Sequence, residues 1–165
     1  MKKILYIATN SDLGGVSKYI LEIVKHLPNN IEPYFVTTSE GYLSDELEKL
    51  GISKDKIFFV PMTNSIIDLP KHILSNKQML SVIEKVKPDL IHCNATTGAI
   101  VGAMCSAITK IPAIYTVHGW PFTNGLPLWK KIFYRILERF ICKVYKKIIC
   151  VSEYEIGRAS CRERV

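Results

Sequence analysis

The chain has 165 residues, of which 48% are hydrophobic and 22% charged, the size and balance of one globular domain. No apolar run approaches the roughly 18 residues that a membrane-spanning helix needs. The net charge of +7 is not accompanied by a recognised basic-aromatic module, so nucleic acid is not predicted as a partner.

Short apolar runs rich in Ile, Val, Phe and Tyr alternate with amphipathic segments along the chain. Such runs predict strands that are covered on both faces. The predicted strands are Lys3–Thr9, Glu32–Thr38, Lys56–Pro61, Leu90–Asn94, Ala113–His118 and Lys147–Ser152. The predicted helices are Val16–Leu27, Leu43–Leu50, Pro70–Lys87, Ala99–Thr109 and Leu128–Lys146. This alternation predicts an α/β fold, a Rossmann-like open parallel sheet with helices on both faces.

The start of the chain, MKKILYIATN, has the basic tip and apolar stretch of a signal peptide. Its apolar stretch is only about six residues, shorter than the roughly 7–15 of a signal sequence, so we interpret it as the first strand. The five cysteines are an odd number without C-x-x-C spacing, and most lie in apolar runs, which predicts free thiols and no zinc site. Together these features predict a cytoplasmic protein in a reducing compartment.

Two adjacent glycines, Gly14 and Gly15, follow the first predicted strand and precede a predicted helix. Ligands of open parallel sheets gather at the carboxyl ends of the strands, and a helix start offers free N–H groups to an anion. The fingerprints G-x-G-x-x-G and G-x-x-x-x-G-K-[ST] are absent, which argues against a dehydrogenase or a P-loop enzyme. A glycine pair is equally consistent with a tight turn, and the nearby Asp12 favours contact through the backbone.

The segment TVHGWPF places His118 where a predicted strand ends, followed by Gly119 and an apolar wall that contains Trp120 and Phe122. A histidine beside an open cleft can hydrogen-bond a sugar hydroxyl or a phosphate oxygen, or exchange a proton near neutral pH. Trp and Phe can stack on the apolar face of a sugar or cover a lipid acceptor. The alternative is a histidine that packs into the wall with Trp120 in the core.

The preceding strand ends in His92, Cys93 and Asn94, and alternation places His92 and Asn94 on the same face. A metal site would need more converging ligands, so His92 is interpreted as a hydrogen-bonded structural residue. Asn94, Thr96 and Thr97 are candidates for binding hydroxyl groups. Their alternative role is to cap the helix predicted to begin at Ala99.

The last predicted helix is strongly amphipathic. Its apolar stripe is predicted to pack inward against the sheet, and its basic residues to lie largely opposite in solvent. The basic face of residues 128–147 also predicts a peripheral contact with anionic lipids at the inner face of the membrane. The predicted stripe consists of Trp129, Ile132, Phe133, Ile136, Leu137, Phe140, Ile141 and Val144.

The final residues, EIGRASCRERV, lose all periodicity and contain three arginines without a lysine. This stretch resembles the translation of a sequencing adapter. We therefore expect residues 1–155 to form the native domain and 156–165 to be a non-native tail. The alternative is a native basic tail.

Four segments together resemble the amino-terminal half of a GT-B glycosyltransferase of the retaining family-4 type, the kind found in cell-surface polysaccharide biosynthesis. They are LGGVSKYILEIVKHL, KPDLIHCNATTGAIVGAMCSA, IPAIYTVHGWPFTNG and KIICVSEYE. The resemblance covers residues 1–155. It implies a hexosyltransferase with two Rossmann-like domains, whose carboxyl-terminal, donor-binding domain is missing from this chain.

The resemblance also implies roles for individual residues. Gly14 and Gly15 match the glycine loop near the donor diphosphate, and His118 matches the strand-end histidine that contacts the donor sugar at the reaction centre. The residues implied to shape the acceptor site are Asn94, Thr96, Thr97, Trp120, Phe122 and Asn124. The implied partners are a nucleotide-sugar and a saccharide or lipid-linked acceptor, and no metal or other cofactor is expected.

The resemblance further implies transfer with retention of the anomeric configuration, and that this chain alone is inactive. Another GT-B enzyme, such as a nucleotide-sugar epimerase, would keep the glycine loop and the sheet. A non-catalytic Rossmann-like binding domain is a further alternative. A receiver-like signalling domain is not favoured, because the third predicted strand ends in Val60-Pro61-Met62-Thr63 without an acidic residue.

Overall fold

The computed structural model describes residues 1–62, 69–119 and 127–151. The strands are β1 (Lys2–Ile7), β2 (Ile31–Thr37), β3 (Ile57–Phe59), β4 (Leu90–Asn94), β5 (Ala113–Val117) and β6 (Lys147–Cys150). The helices are α1 (Gly15–Lys25), α2 (Tyr42–Lys49), α3 (Leu69–Val86), α4 (Ala95–Thr109) and α5 (Leu128–Cys142), with a 3-10 turn at Lys54–Lys56.

All strands are parallel and form one sheet in the order β3-β2-β1-β4-β5-β6. The order reverses between β1 and β4, and this reversal opens a crevice at the carboxyl edge of an open α/β sheet. Each crossover carries a helix, as parallel neighbours require. The predicted Rossmann-like α/β fold is confirmed.

Helices cover both faces of the sheet. On one face, Tyr6 and Phe35 of the strands pack with Ile20 of α1 and Leu47 of α2. Residues of the opposite strand parity make the second core, against α3, α4 and the end of α5, and they include Leu5, Ile7, Ile91, Cys93 and Tyr115. The two cores explain why the strands are apolar at nearly every position.

Helix α4 begins at Ala95, four residues before its predicted start at Ala99. Asn94 is still extended, whereas Ala95 has a positive φ of 60° and turns the chain directly into the helix. The sequence pattern missed this start because the first turn, ATTG, contains polar residues and a glycine that are weak helix formers. Thr96 and Thr97 therefore lie inside the first helical turn.

Helix α5 ends at Cys142, four residues before the predicted end at Lys146. The next residues turn toward the sheet, where the N–H of Lys146 donates to the carbonyl oxygen of Ala113 at 2.9 Å.

Strand β3 is also shorter than predicted, because Lys54–Lys56 form a 3-10 turn and only Ile57–Phe59 pair with β2.

Four cysteines lie in the described part of the chain, and all are free thiols. Burial raises the pKa of both Cys93 and Cys105 to about 12, so these thiols stay protonated at neutral pH. They behave as small core hydrophobes, as predicted.

Among the helices that the structure describes, none is long and apolar enough to cross a bilayer.

Candidate functional site

The crevice at the carboxyl edge brings together the loops that follow β1, β4 and β5. These three strands are neighbours in the sheet, although 82 residues of sequence lie between β1 and β4 and more between β1 and β5. The loop after β1 leads to Gly14 and Gly15, β4 ends at Asn94, and β5 is followed by His118. The glycine loop, Asn94 and His118 thus lie at one edge of the sheet.

The glycine loop is exposed at residues 12–15, and helix α1 begins at Gly15. Gly14 is extended, with φ −165°, and a Cβ added at Gly14 or at Gly15 would meet no atom within 4 Å. The Ser17 hydroxyl donates to the carbonyl oxygen of Asp12 at 2.6 Å and holds the loop against the helix. Neither the local backbone nor the surrounding packing of the described chain requires glycine at these two positions.

His118 lies at the end of β5 and is half-buried. Its Nε2 is 3.1 Å from Oδ1 of Asn94, which is fully buried. The Asn94 Nδ2 is 3.4 Å from the carbonyl oxygens of Ile7 and His92. Burial lowers the pKa of His118, so its ring is held in the neutral form more strongly than a free histidine.

His92 lies behind this pair and is almost completely buried. Its Nε2 is 2.8 Å from the Thr116 hydroxyl, which lies 3.3 Å from the hydroxyl of Tyr19. Burial lowers the pKa of His92 to about 4, and the nearby His118 adds to the shift in the same direction. The prediction that His92 is a hydrogen-bonded structural residue is confirmed.

Tyr19 is a site residue that sequence reasoning missed. Its ring meets the ring of His118 edge-on, with centroids 4.9 Å apart and an angle of 76° between the planes. The residue lies one helical turn after Gly15, and that spacing was the available signal, because i and i+4 share a helix face. Tyr19 therefore links the glycine loop to the histidine end of the site.

Of the other predicted site residues, three are described by the structure and three are not. Asn94 occupies the residue before α4 but makes no side-chain capping bond, so capping is not its role. The Thr96 hydroxyl is 3.4 Å from that of Tyr115, and Thr97 is 8% exposed. Three further predicted acceptor residues lie outside the described residues: Trp120, Phe122 and Asn124.

Metal ligands do not converge in the described ranges, where no group of three or more His, Cys, Asp or Glu side chains could hold an ion. The described residues at the crevice can offer a ligand hydrogen bonds and the dipole of a helix start. Neutral imidazole nitrogen, exposed N–H groups of a helix start and threonine hydroxyls suit an oxygen-rich ligand.

The prediction that the apolar stripe of α5 packs inward is wrong for four of its described members, because Val144, just after the helix, is exposed as well as three residues within it. Trp129 is 62% exposed, Ile132 50% and Ile136 51%. The predicted stripe covers about half of the helix circumference, wider than the roughly 100° that one packing contact uses, so its edge stays in solvent. Arg135 and Arg139 lie on this same exposed face. We call Leu128, Trp129, Ile132, Arg135, Ile136, Arg139 and Lys143 the α5 face.

The sheet order and the crevice define a Rossmann-like α/β domain. The family model "Glycosyltransferase Family 4" matches residues 13–159, and the chain belongs to this family. The match includes α1 and its glycine, β4, β5 and His118.

Among curated proteins, the chain is similar to the UDP-Gal:alpha-D-GlcNAc-diphosphoundecaprenol alpha-1,3-galactosyltransferase of Escherichia coli. The two are 27% identical over 151 residues, which cover 90% of this chain and 38% of that protein. This chain therefore spans less than half of the length of that relative.

Solved structures share the fold at low sequence identity. Anabaena Alr3699/HepE in complex with UDP-glucose matches all of this chain and 43% of its own length, with a TM-score of 0.72 and 17% identity. The UDP-GlcNAc 2-epimerase of Neisseria meningitidis bound to UDP-GlcNAc matches all of this chain and 46% of its own, with a TM-score of 0.66 and 14% identity. Both show that the fold is shared.

Proposed function

We propose that the protein to which this domain belongs transfers a hexose from a nucleotide-sugar to a saccharide or lipid-linked acceptor, with retention of the anomeric configuration. The observation that carries the proposal is the crevice, where the glycine loop and His118 meet at one edge of a family-4 domain. The similar Escherichia coli protein uses a UDP-sugar and a diphosphoundecaprenol acceptor by its name. A cytoplasmic location fits the free thiols of the domain.

The donor diphosphate is proposed to lie against Gly14 and Gly15. The open space where both Cβ atoms would stand supports this role, because the backbone can then approach a ligand closely. The start of α1 has no acidic residue in its first turn and presents its positive dipole end there. We propose that no metal takes part, since these N–H groups and basic side chains of the carboxyl-terminal domain can stabilise the leaving diphosphate.

The donor sugar is proposed to contact His118 at the reaction centre. The ring is half-buried and neutral, which suits a hydrogen bond with a sugar hydroxyl. Thr96 and Thr97, with Trp120, Phe122 and Asn124, are proposed to shape the acceptor site. Asn94 is fully buried and reaches His118 instead, so we move it from the acceptor site to the support of the histidine.

The second half of the cleft is proposed to come from a carboxyl-terminal domain beyond residues 1–155. The relative's extra length supports this, because this chain spans 38% of it. We expect the 165-residue chain to show no sugar transfer by itself and to bind nucleotide-sugar weakly, since only one wall of the cleft is present.

A nucleotide-sugar epimerase is the second candidate, and the shared fold of the Neisseria meningitidis enzyme is what favours it. The family match favours the transferase, because it rests on sequence rather than on fold alone. The product distinguishes the two: a transferase releases nucleoside diphosphate only when acceptor is present, whereas an epimerase changes the sugar without releasing it.

The test is an assay of the complete coding sequence with UDP-hexoses and a membrane lipid extract as acceptor. We expect label to move from the UDP-sugar to lipid, and His118→Ala to lower turnover at least about tenfold, the effect of losing one hydrogen bond of about 1.4 kcal/mol in the transition state. His26→Ala is the matched control, since His26 lies exposed after α1, and it should keep wild-type turnover. Full turnover in His118→Ala would contradict the site.

We further propose that the domain contacts an anionic membrane through the α5 face. Apolar and basic side chains share that exposed face, the composition of helices that lie in a lipid interface. Helix α5 runs antiparallel to the strands, so its first turn lies at the carboxyl edge with the crevice. A membrane on this face would thus be close to a lipid-linked acceptor in the crevice.

Vesicle sedimentation tests this contact. We expect Arg139→Glu to weaken binding to phosphatidylglycerol vesicles about fivefold or more, because each basic residue near an anionic surface contributes about 1 kcal/mol. Ile136→Ser should weaken binding also at high salt, because it removes apolar contact. Lys77→Glu, an exposed charge reversal on α3, is the control. Equal loss in Lys77→Glu and Arg139→Glu, or binding to neutral vesicles alone, would contradict the proposal.

A further inference from the structure

The orientation of the Asn94 side chain follows from its surroundings. One end of the amide lies 3.4 Å from two backbone carbonyl oxygens, those of Ile7 and His92. Carbonyl oxygens only accept hydrogen bonds, so this end must be the NH₂ group, which has two hydrogens to donate. The other end, which faces Nε2 of His118 at 3.1 Å, is then the oxygen.

An amide oxygen cannot donate a hydrogen bond, and this limits the protonation of the ring that faces it. Nε2 of His118 must carry the hydrogen for the 3.1 Å contact to be attractive. A neutral imidazole has only one N–H, so its Nδ1 then holds a lone pair. The structure assigns Asn94 as the positioning residue that fixes His118 in the Nε2–H tautomer, with Nδ1 as its hydrogen-bond acceptor.

The surroundings make this arrangement rigid. Asn94 is fully buried, and two strands, β1 and β4, supply the carbonyl groups that hold its amide. A flipped amide would bring its oxygen against both carbonyl oxygens, which is costly in a buried site. Tyr19 meets the His118 ring edge-on and limits its rotation.

The assignment has a chemical consequence that rests on the proposed function. A ring with an accepting Nδ1 takes a hydrogen bond from a hydroxyl donor, such as a sugar hydroxyl. It repels a carbonyl or phosphate oxygen at that nitrogen unless the ring gains a second proton. Burial opposes this second proton, and the neighbouring His92 does not favour it. The ligand group expected at Nδ1 is therefore a hydrogen-bond donor such as a hydroxyl.

Nitrogen NMR tests the tautomer without any assay of sugar transfer. In the ¹⁵N-labelled 165-residue chain near pH 7.5, two-bond ¹H–¹⁵N correlations distinguish Nε2–H from Nδ1–H rings. The signals of the His118 ring are identified because they are absent from the spectrum of His118→Gln. We expect His118 to be more than about 90% Nε2–H, the population that one hydrogen bond of about 1.4 kcal/mol gives. A ring that is mainly Nδ1–H would overturn the assignment, whether or not the protein is a transferase.

Two substitutions at Asn94 test whether this residue sets the tautomer. Asn94→Leu removes the acceptor and should shift the ring toward a mixture of tautomers. Asn94→Asp keeps an acceptor oxygen toward His118 and should keep Nε2–H, with its other oxygen protonated so that it donates to the carbonyl oxygens of Ile7 or His92. The signals of His92 and the thermal midpoint report whether each variant is folded. An unchanged tautomer in folded Asn94→Leu would overturn the role of Asn94. If Asn94→Leu does not fold, an Nδ1–H ring in Asn94→Asp would overturn it instead.

In the complete enzyme, the same variants separate positioning from loss of fold. Asn94→Leu should raise KM for the nucleotide-sugar or lower kcat in proportion to the lost Nε2–H population, about twofold to tenfold, while Asn94→Asp should recover part of the loss. A complete enzyme that shows no transfer at all, combined with an Nε2–H ring in the NMR test, would refute the proposed function and leave the tautomer assignment standing.

Discussion

Acidification from about pH 6.5 to about pH 4 is expected to remove about 3 kcal/mol of folding free energy through His92 alone. The folded-state pKa of this histidine is lowered to about 4 by burial and, to a smaller extent, by His118, whereas its ordinary value is 6.5. The difference corresponds to about 1.4 kcal/mol for each pH unit. His92 is 5% exposed, so solvent screening reduces this figure little.

The sign follows from which state binds the proton. Above pH 6.5 both states hold a neutral ring, and stability does not depend on this group. Between pH 6.5 and about 4 the unfolded chain binds a proton and the folded chain does not, so the free energy of unfolding falls. Below about pH 4 both are protonated and the loss is complete. The lowered pKa of His118 acts in the same direction.

Urea unfolding at pH 7, 5.5 and 4 measures the effect. His92→Gln keeps a side-chain amide for the Thr116 hydroxyl but cannot titrate. From pH 7 to pH 4, its free energy of unfolding should therefore fall by about 3 kcal/mol less than that of the wild type. His26→Gln is the control for replacing an exposed histidine, and its curves should lie closer to those of the wild type than the curves of His92→Gln do. Parallel curves for the wild type and His92→Gln would show that His92 does not carry the pH dependence.

The sequence predicts the sheet well because burial on both faces leaves a strong pattern. Every predicted strand overlaps an observed one, since runs such as the one around Leu5 and Ile7 must serve the two cores at once. Helix ends were less predictable. The early start of α4 depends on the positive φ of Ala95, and residue types do not encode such a backbone angle there. The exposed edge of α5 depends on how much of a wide apolar stripe the sheet covers.

For the candidate site, the sequence indicated the loops but not the contacts between them. His118 and Gly14 were predicted from their place after strands, a rule that needs only the strand order. The contact of Asn94 with His118, in place of the predicted contact with an acceptor, was not predictable. It depends on the 3.1 Å distance between Asn94 Oδ1 and Nε2 of His118, a residue at the end of the neighbouring strand. Tyr19 was missed for the same reason, since its partner His118 is 99 residues away in sequence.

Gly102→Ala is expected to destabilise the domain by about 2 kcal/mol, although alanine is a better helix former than glycine. A Cβ at this buried position of α4 would lie 2.1 Å from Sγ of Cys93 and 3.2 Å from the Tyr145 hydroxyl. The neighbour is a fully buried side chain of the central strand β4, which has no space to withdraw. Overpacking of this kind costs up to roughly 3 kcal/mol, and the gain in helix propensity offsets about 1 kcal/mol.

The matched control lies one turn earlier on the same helix. A Cβ at Gly98 would meet Cγ2 of Ile7 at 3.4 Å, an ordinary contact, so Gly98→Ala should be neutral or stabilise the domain by up to about 1 kcal/mol. The urea midpoints of the two variants give the comparison directly. Equal midpoints would mean that α4 and β4 do not approach as closely as the structure describes.

A second substitution identifies the sulfur as the cause. Cys93→Ala removes Sγ, so the added methyl group of Gly102→Ala would occupy part of the space that the sulfur leaves. The double variant should therefore be more stable than the sum of the single effects predicts, by about 1–2 kcal/mol in a double-mutant cycle. Additive effects would instead attribute the loss in Gly102→Ala to Tyr145, whose hydroxyl donates to the carbonyl oxygen of Ala99 in the same helix. The cycle thus measures which of the two neighbours keeps this position a glycine.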